Sequence, residues 1–253
     1  MRGIDAFAPM HNSGLLRCGS VLRAEGLSAH PRGGAPLWHD LDFDLQPGDR
    51  LGLGGASGAG KTLLLRQLAL LDPLPCGSIL LQGLSPTDWT PPLYRAQVIL
   101  LSQRAVAFDG SVEDNLRHPF NWAAHRDRRF DRERIVRWLQ LLGREASFLE
   151  LGAEHLSGGE SQLMALLRAL QLDPLILLLD EPTASLDAAT TGRVEDLLGK
   201  WLADGDRACV LTSHDAAQIE RFTTRRLELT QCRWPPPGGP CRSATATWPS
   251  RPC

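Results

Sequence analysis

Apolar positions along this chain recur with two different periods. Leu41-Asp42-Phe43-Asp44-Leu45 alternates residue by residue, as a strand with one buried face does; Val21 to Glu25 is a second strand candidate, with Pro31-Arg32-Gly33-Gly34 as the turn between. Beyond the Gln46-Pro47-Gly48-Asp49 turn, strands are predicted at Asp49 to Gly54 and Gly77 to Gly83. Three further runs, Val98 to Gln103, Pro174 to Leu179 and Ala208 to Ser213, are almost continuously apolar and predict parallel strands buried on both faces. Between about Arg104 and Leu172 the period becomes helical, through Ser111 to Leu116, the charged stretch Arg126 to Arg137 that leads into Trp138 to Leu142, and the stripe Leu163, Leu166, Leu167, Leu170. The pattern is that of an α/β domain over 21–230 with a helical insertion over about 104–172. Residues 1–20 show no period and are expected to form a flexible lead-in. Residues 231–253 hold six prolines, three cysteines and no acidic residue, and are expected to be disordered.

Composition narrows the partners. A chain of 253 residues with 43% apolar content can bury a large core. Twenty-seven basic against 29 acidic residues leave a net charge of −2, which argues against a nucleic-acid role. The apolar run Leu175 to Leu179 is far short of the ~18–20 residues that span a bilayer, so a cytoplasmic location is expected, with any membrane role reached through a partner. Cys18, Cys76, Cys209, Cys232, Cys241 and Cys253 show no CxxC spacing and are expected to be reduced thiols.

The candidate chemistry starts at Gly55-Ala56-Ser57-Gly58-Ala59-Gly60-Lys61-Thr62. Three glycines let the backbone curl with its N–H groups inward at the start of a helix, a cradle for nucleotide phosphates. Lys61 would reach the β- and γ-phosphates, and Thr62 is placed to ligate Mg²⁺. Asp180 and Glu181 end an apolar strand, where adjacent carboxylates are costly unless a metal or polarised water engages them. Asp180 is therefore assigned to Mg²⁺ and Glu181 to the attacking water. Gln103 and His214 each follow an apolar strand and point to the same sheet edge. Ser157-Gly158-Gly159-Glu160 is a capping box whose two glycines leave N–H groups open at a positive helix end, a second phosphate contact.

In this order, Gly55 to Thr62, Gln103, Leu156 to Glu160, Leu175 to Glu181, Ser185-Leu186-Asp187 and His214, the chain resembles the ATP-binding subunit of ABC transporters over nearly all of Val21 to Leu229. The resemblance implies a P-loop NTPase fold, a RecA-like mixed sheet core with antiparallel strands and an ABC-type helical subdomain. It implies ATP and Mg²⁺ as cofactors, and hydrolysis by a water aligned on Glu181. It also implies a head-to-tail homodimer in which Ser157, Gly158 and Gly159 reach the partner's nucleotide. Gln103 then becomes the Mg²⁺ and water sensor that couples to a separately encoded membrane permease, Asp187 a cross-dimer contact and His214 the holder of the γ-phosphate. His30 stands where the family places an adenine-stacking aromatic residue. Leu163 stands where arginine is common. Within the family the chain looks most like the ATPase of a bacterial iron-export pair, peripheral on the cytoplasmic face; the alternative is a soluble ABC ATPase of an assembly system such as iron–sulfur cluster biogenesis.

Overall fold

The computed structural model describes residues 19–29 and 37–229. The expectations for His30, the turn at 31–34 and the tail 231–253 lie outside these residues, as does nearly all of the 1–20 lead-in. Two sheets organise the described chain. In the first, β1 (Leu22–Ala29) lies between β2 (Trp38–Leu45) and β4 (Cys76–Leu81), antiparallel to both. The second is parallel, in the order β5-β6-β7-β3-β8, and is built from β3 (Arg50–Gly54), β5 (Val98–Leu101), β6 (Ile176–Asp180), β7 (Ala208–Thr212) and β8 (Arg225–Glu228).

The apolar runs land where two-sided burial requires them. All five residues of β6 and of β7 are buried. Their alternation divides the core in two. Ile176 and Leu178 pack with Val210, Leu51, Leu53 and the first sheet, whereas Leu177 and Leu179 pack with Cys209, Leu211 and the helices of the opposite layer. That second layer holds α3 (Val112–Arg117), α4 (Arg132–Leu141), α5 (Gly158–Leu170) and α6 (Ala188–Ala203), with short 3₁₀ turns between the first three. Arg134 of α4 grips Asp173 through two 2.7 Å hydrogen bonds, and Arg207 reaches the same carboxylate at 3.1 Å. The two arginines tie the helical stretch to the loops at the base of β6 and β7.

Cys76 is disulfide-bonded, which corrects the expectation that all six thiols are reduced. Cys209 is free and buried in β7, where desolvation pushes its thiol up to about 12.

Candidate functional site

Residues 55–60 form the loop between β3 and α1 (Lys61–Leu68). Gly60 caps α1 in the left-handed region, φ 92, and offers no side chain to its first turn, which also has no acidic residue. The contrast with the other helices is informative. α3, α4, α5, α6 and α7 (Ala216–Phe222) are capped by Ser111, Asp131, Ser157, Asp187 and Asp215, and α2 (Pro91–Gln97) opens on prolines that lack the donor. Among the α-helices of the described residues, α1 alone opens on N–H groups with neither remedy, a positive helix end suited to an anion. A Cβ on Gly60 would lie 2.8 Å from the Trp38 indole nitrogen and 2.9 Å from Leu37, so this turn of the loop has no room for a side chain. Lys61 Nζ lies in the curl, donating to Gly55 O at 2.7 Å and Ala56 O at 3.2 Å.

The sheet brings the carboxylates to this loop. Asp180 is buried at the end of β6 and accepts from Thr62 Oγ1 through Oδ2 and from Thr212 Oγ1 through Oδ1, each at 2.8 Å. Glu181 follows with φ 52, its N–H bonded to Thr212 O and Oγ1. Its side chain accepts from Gln103 Nε2 at 3.0 Å, and its other oxygen lies 2.6 Å from His214 Nε2. Thus Lys61, Thr62, Gln103, Asp180, Glu181 and His214, spread over 154 positions of sequence, gather at the carboxyl edge of the parallel sheet.

The donor set fits Mg²⁺. It consists of a hydroxyl, a carboxylate and an amide oxygen, and Mg²⁺ binds through one or two protein oxygens while phosphates and waters complete its shell. No cluster of three or more His, Cys, Asp or Glu able to hold a metal occurs among the described residues.

Ser157 and Glu160 form the expected capping box at α5: Ser157 Oγ donates to Glu160 Oε2 at 2.7 Å and accepts Glu160 N–H. The Ser157 hydroxyl and backbone N–H hold the Glu160 carboxyl below its ordinary range, and Arg144 stands 3.4 Å away. Gly159 also has a packing role that the sequence reading missed. A Cβ on Gly159 would lie 2.7 Å from Ser185 O, so α5 can start here only with glycine. Asp187 caps α6, accepting from the Thr190 N–H and hydroxyl, which together hold its carboxyl below the usual range.

Two contributors escaped the sequence reading. Thr212 bonds the Asp180 carboxylate and the Glu181 backbone N–H. Gln162, buried in α5, accepts Ser185 N–H at 3.1 Å and donates at 3.5 Å to the carbonyls of Gln103 and Glu181. Thr212 had a weak signal, as a hydroxyl at the end of an apolar strand; Gln162 had none, because its contacts come from three distant segments.

Beyond Gln103 the chain is held from within. Fully buried Asn115 accepts Phe108 N–H and donates to Phe108 O, and Arg168 donates to Val106 O at 2.6 Å. The side chains of this segment nevertheless face out: Val106 is 63% and Phe108 40% exposed, and nearby Trp122, linked to Phe108 through the ring of His118, is 48% exposed.

Comparison with known proteins agrees with this geometry. Residues 38–184 match the family described as ABC transporter. ABC transporter I family member 17 of Arabidopsis thaliana is 32% identical over 200 residues, covering 79% of this chain and 75% of that protein. Probable iron export ATP-binding protein FetA of Escherichia coli (strain K12) is 32% identical over 187 residues, 74% of this chain and 82% of that one. A solved ATP binding subunit of an ABC transporter superposes with a TM-score of 0.74 at 23% identity, covering 84% of this chain and 87% of that one, which establishes the shared fold. The chain belongs to the ABC transporter family, as one of its ATP-hydrolysing, ATP-binding subunits.

Proposed function

We propose that the chain works as a head-to-tail homodimer that hydrolyses ATP at the edge of β6 and passes the energy to a separately encoded membrane permease from its cytoplasmic face. The observation that carries this reading is the meeting of the uncapped α1 with Asp180 and Glu181. The Gly55–Gly60 loop and the first N–H groups of α1 receive the phosphates. Lys61 leaves the carbonyls of Gly55 and Ala56 for the β- and γ-phosphates. Thr62, Asp180 and Gln103 would hold Mg²⁺, which when bound neutralises charge that develops on the phosphate oxygens. Glu181 orients the attacking water and His214 holds the γ-phosphate. Gln103 and His214 each engage one Glu181 oxygen, and each oxygen keeps a second lone-pair site that can accept from the water.

In the dimer, Ser157, Gly158 and Gly159 contact the partner's nucleotide, and the Ser157 hydroxyl turns from Glu160 to a phosphate oxygen. Asp187 supports that interface from the start of α6. The helical stretch about 104–172 acts as the subdomain that carries this contact. The exposed Val106 and Phe108, just beyond Gln103, favour a permease contact over a soluble assembly role. No helix among the described residues is long and apolar enough to cross a membrane. Iron is the cargo that the likeness to FetA supports, and the permease would select it.

The test compares wild type with Glu181→Gln. Wild type should turn over ATP, and the variant should bind ATP, lose at least about 100-fold in kcat and elute as a dimer in ATP. A variant that hydrolyses ATP at the wild-type rate, or stays monomeric with ATP bound, refutes the mechanism. Co-purification with a polytopic membrane protein, lost on Phe108→Asp, tests the permease contact.

A further inference from the structure

Thr212 closes β7, a strand that is otherwise apolar, and it is wholly inaccessible to solvent. A buried hydroxyl must be paired, and this one is paired twice, in opposite senses. It donates to Asp180 Oδ1 at 2.8 Å and accepts the Glu181 N–H at 3.1 Å. The Thr212 carbonyl shares that N–H at 3.2 Å. One residue therefore holds both carboxylate-bearing positions, from a neighbouring strand 31 residues away.

We infer that Thr212 is a positioning residue for hydrolysis, one that gives two adjacent carboxylates separate tasks. With Oδ1 committed to Thr212, Asp180 presents Oδ2, the oxygen already shared with Thr62, to a metal. Glu181 must leave the strand line so that its side chain does not crowd the same metal. It does so at φ 52, a conformation that a non-glycine residue keeps only under restraint, and its shared N–H bond to Thr212 is that restraint. Its side chain is then delivered to Gln103 and His214. Serine would keep both bonds. Valine has the same shape and keeps neither hydroxyl bond, leaving Asp180 Oδ1 buried and unpaired.

The inference rests on the reading of Asp180 as the metal ligand and Glu181 as the water-orienting base, and the experiment separates the two. Binding of trinitrophenyl-ATP to the full chain is measured in EDTA and in rising Mg²⁺, beside steady-state hydrolysis, for wild type, Thr212→Val, Thr212→Ser and Asp180→Asn. Thr212→Val should bind the probe in EDTA as wild type does, need about 10-fold more Mg²⁺ for its half-maximal effect and lose about 10-fold in kcat. Thr212→Ser should return both within about 3-fold of wild type. Asp180→Asn should abolish the Mg²⁺ effect. If Thr212→Val keeps its Mg²⁺ response and kcat while Asp180→Asn loses them, the role of Thr212 is overturned and the site reading stands. If Asp180→Asn also responds normally to Mg²⁺, both are overturned. Equal loss of binding in EDTA and in Mg²⁺ would mean a merely structural role; should Thr212→Val not fold, Thr212→Ala carries the same comparison.

Discussion

Gly58 and Gly60 lie two residues apart in one loop, both with positive φ, 80 and 92, yet a methyl group meets different surroundings at each. At Gly58 a Cβ would have nothing within 4 Å; at Gly60 it would meet the Trp38 indole nitrogen at 2.8 Å and Leu37 at 2.9 Å. Each alanine variant pays about 1–2 kcal/mol for an L-residue in the left-handed region. Only Gly60→Ala adds an overpacking cost, about 1–3 kcal/mol, since buried Trp38 is a rigid ring that cannot swing aside as a leucine tip can. The free loop relaxes away from this strain, and phosphate binding has to restore it, so the cost appears in affinity. Gly58→Ala should weaken ATP binding by about 5–30-fold, and Gly60→Ala by at least a further 5-fold. Titration calorimetry with Mg·ATP in a Glu181→Gln background, which suppresses turnover, measures both. Equal losses, or a greater loss for Gly58→Ala, would refute the claim that contact with Trp38 shapes the cradle.

Gln162→Met keeps the length of the side chain and removes its bonds to Ser185, Gln103 and Glu181; kcat should fall about 10-fold with KM for ATP within about 2-fold, and a matching rise in KM would count against a positioning role. Buried His125 has its imidazole pushed down to about 4, first by desolvation and then by the charge of Arg128. Its folded value lies below the ordinary 6.5, so the unfolded chain takes up the proton first. The associated stability is complete above pH 6.5 and declines as pH falls toward 4; His125→Phe should flatten that part of the urea-midpoint profile, and an unchanged slope would contradict it.

A polar residue at the end of an apolar strand stands out in the chain. Gln103, Asp180 and His214 stand out this way, and the glycines of residues 55–60 mark the loop. β8 was missed, because Arg225 to Glu228 forms a charged edge strand with no apolar alternation. α2 was hidden behind two prolines, although proline is well suited to a first helical turn. α6 carried a signal that was not used, Asp187 as cap ahead of Val194, Leu197, Leu198, Trp201 and Leu202. Gln162 and the close approach of Gly159 to Ser185 depend on segments far apart in sequence meeting, and no local pattern encodes that.

The alternation along β6 has a consequence for any attempt to perturb this protein. Leu177 and Leu178 are neighbours in sequence, yet one answers to the helical layer and the other to the antiparallel sheet. Trimming either to alanine should cost about 2–5 kcal/mol, with the loss felt first on opposite sides of the strand. Hydrogen exchange on such a pair would read the cohesion of each half separately. Both halves nevertheless clamp the same five-residue strand that ends in Asp180. Loosening on either side thus reaches one carboxylate, and the edge that holds Asp180 registers the weaker of the two cores.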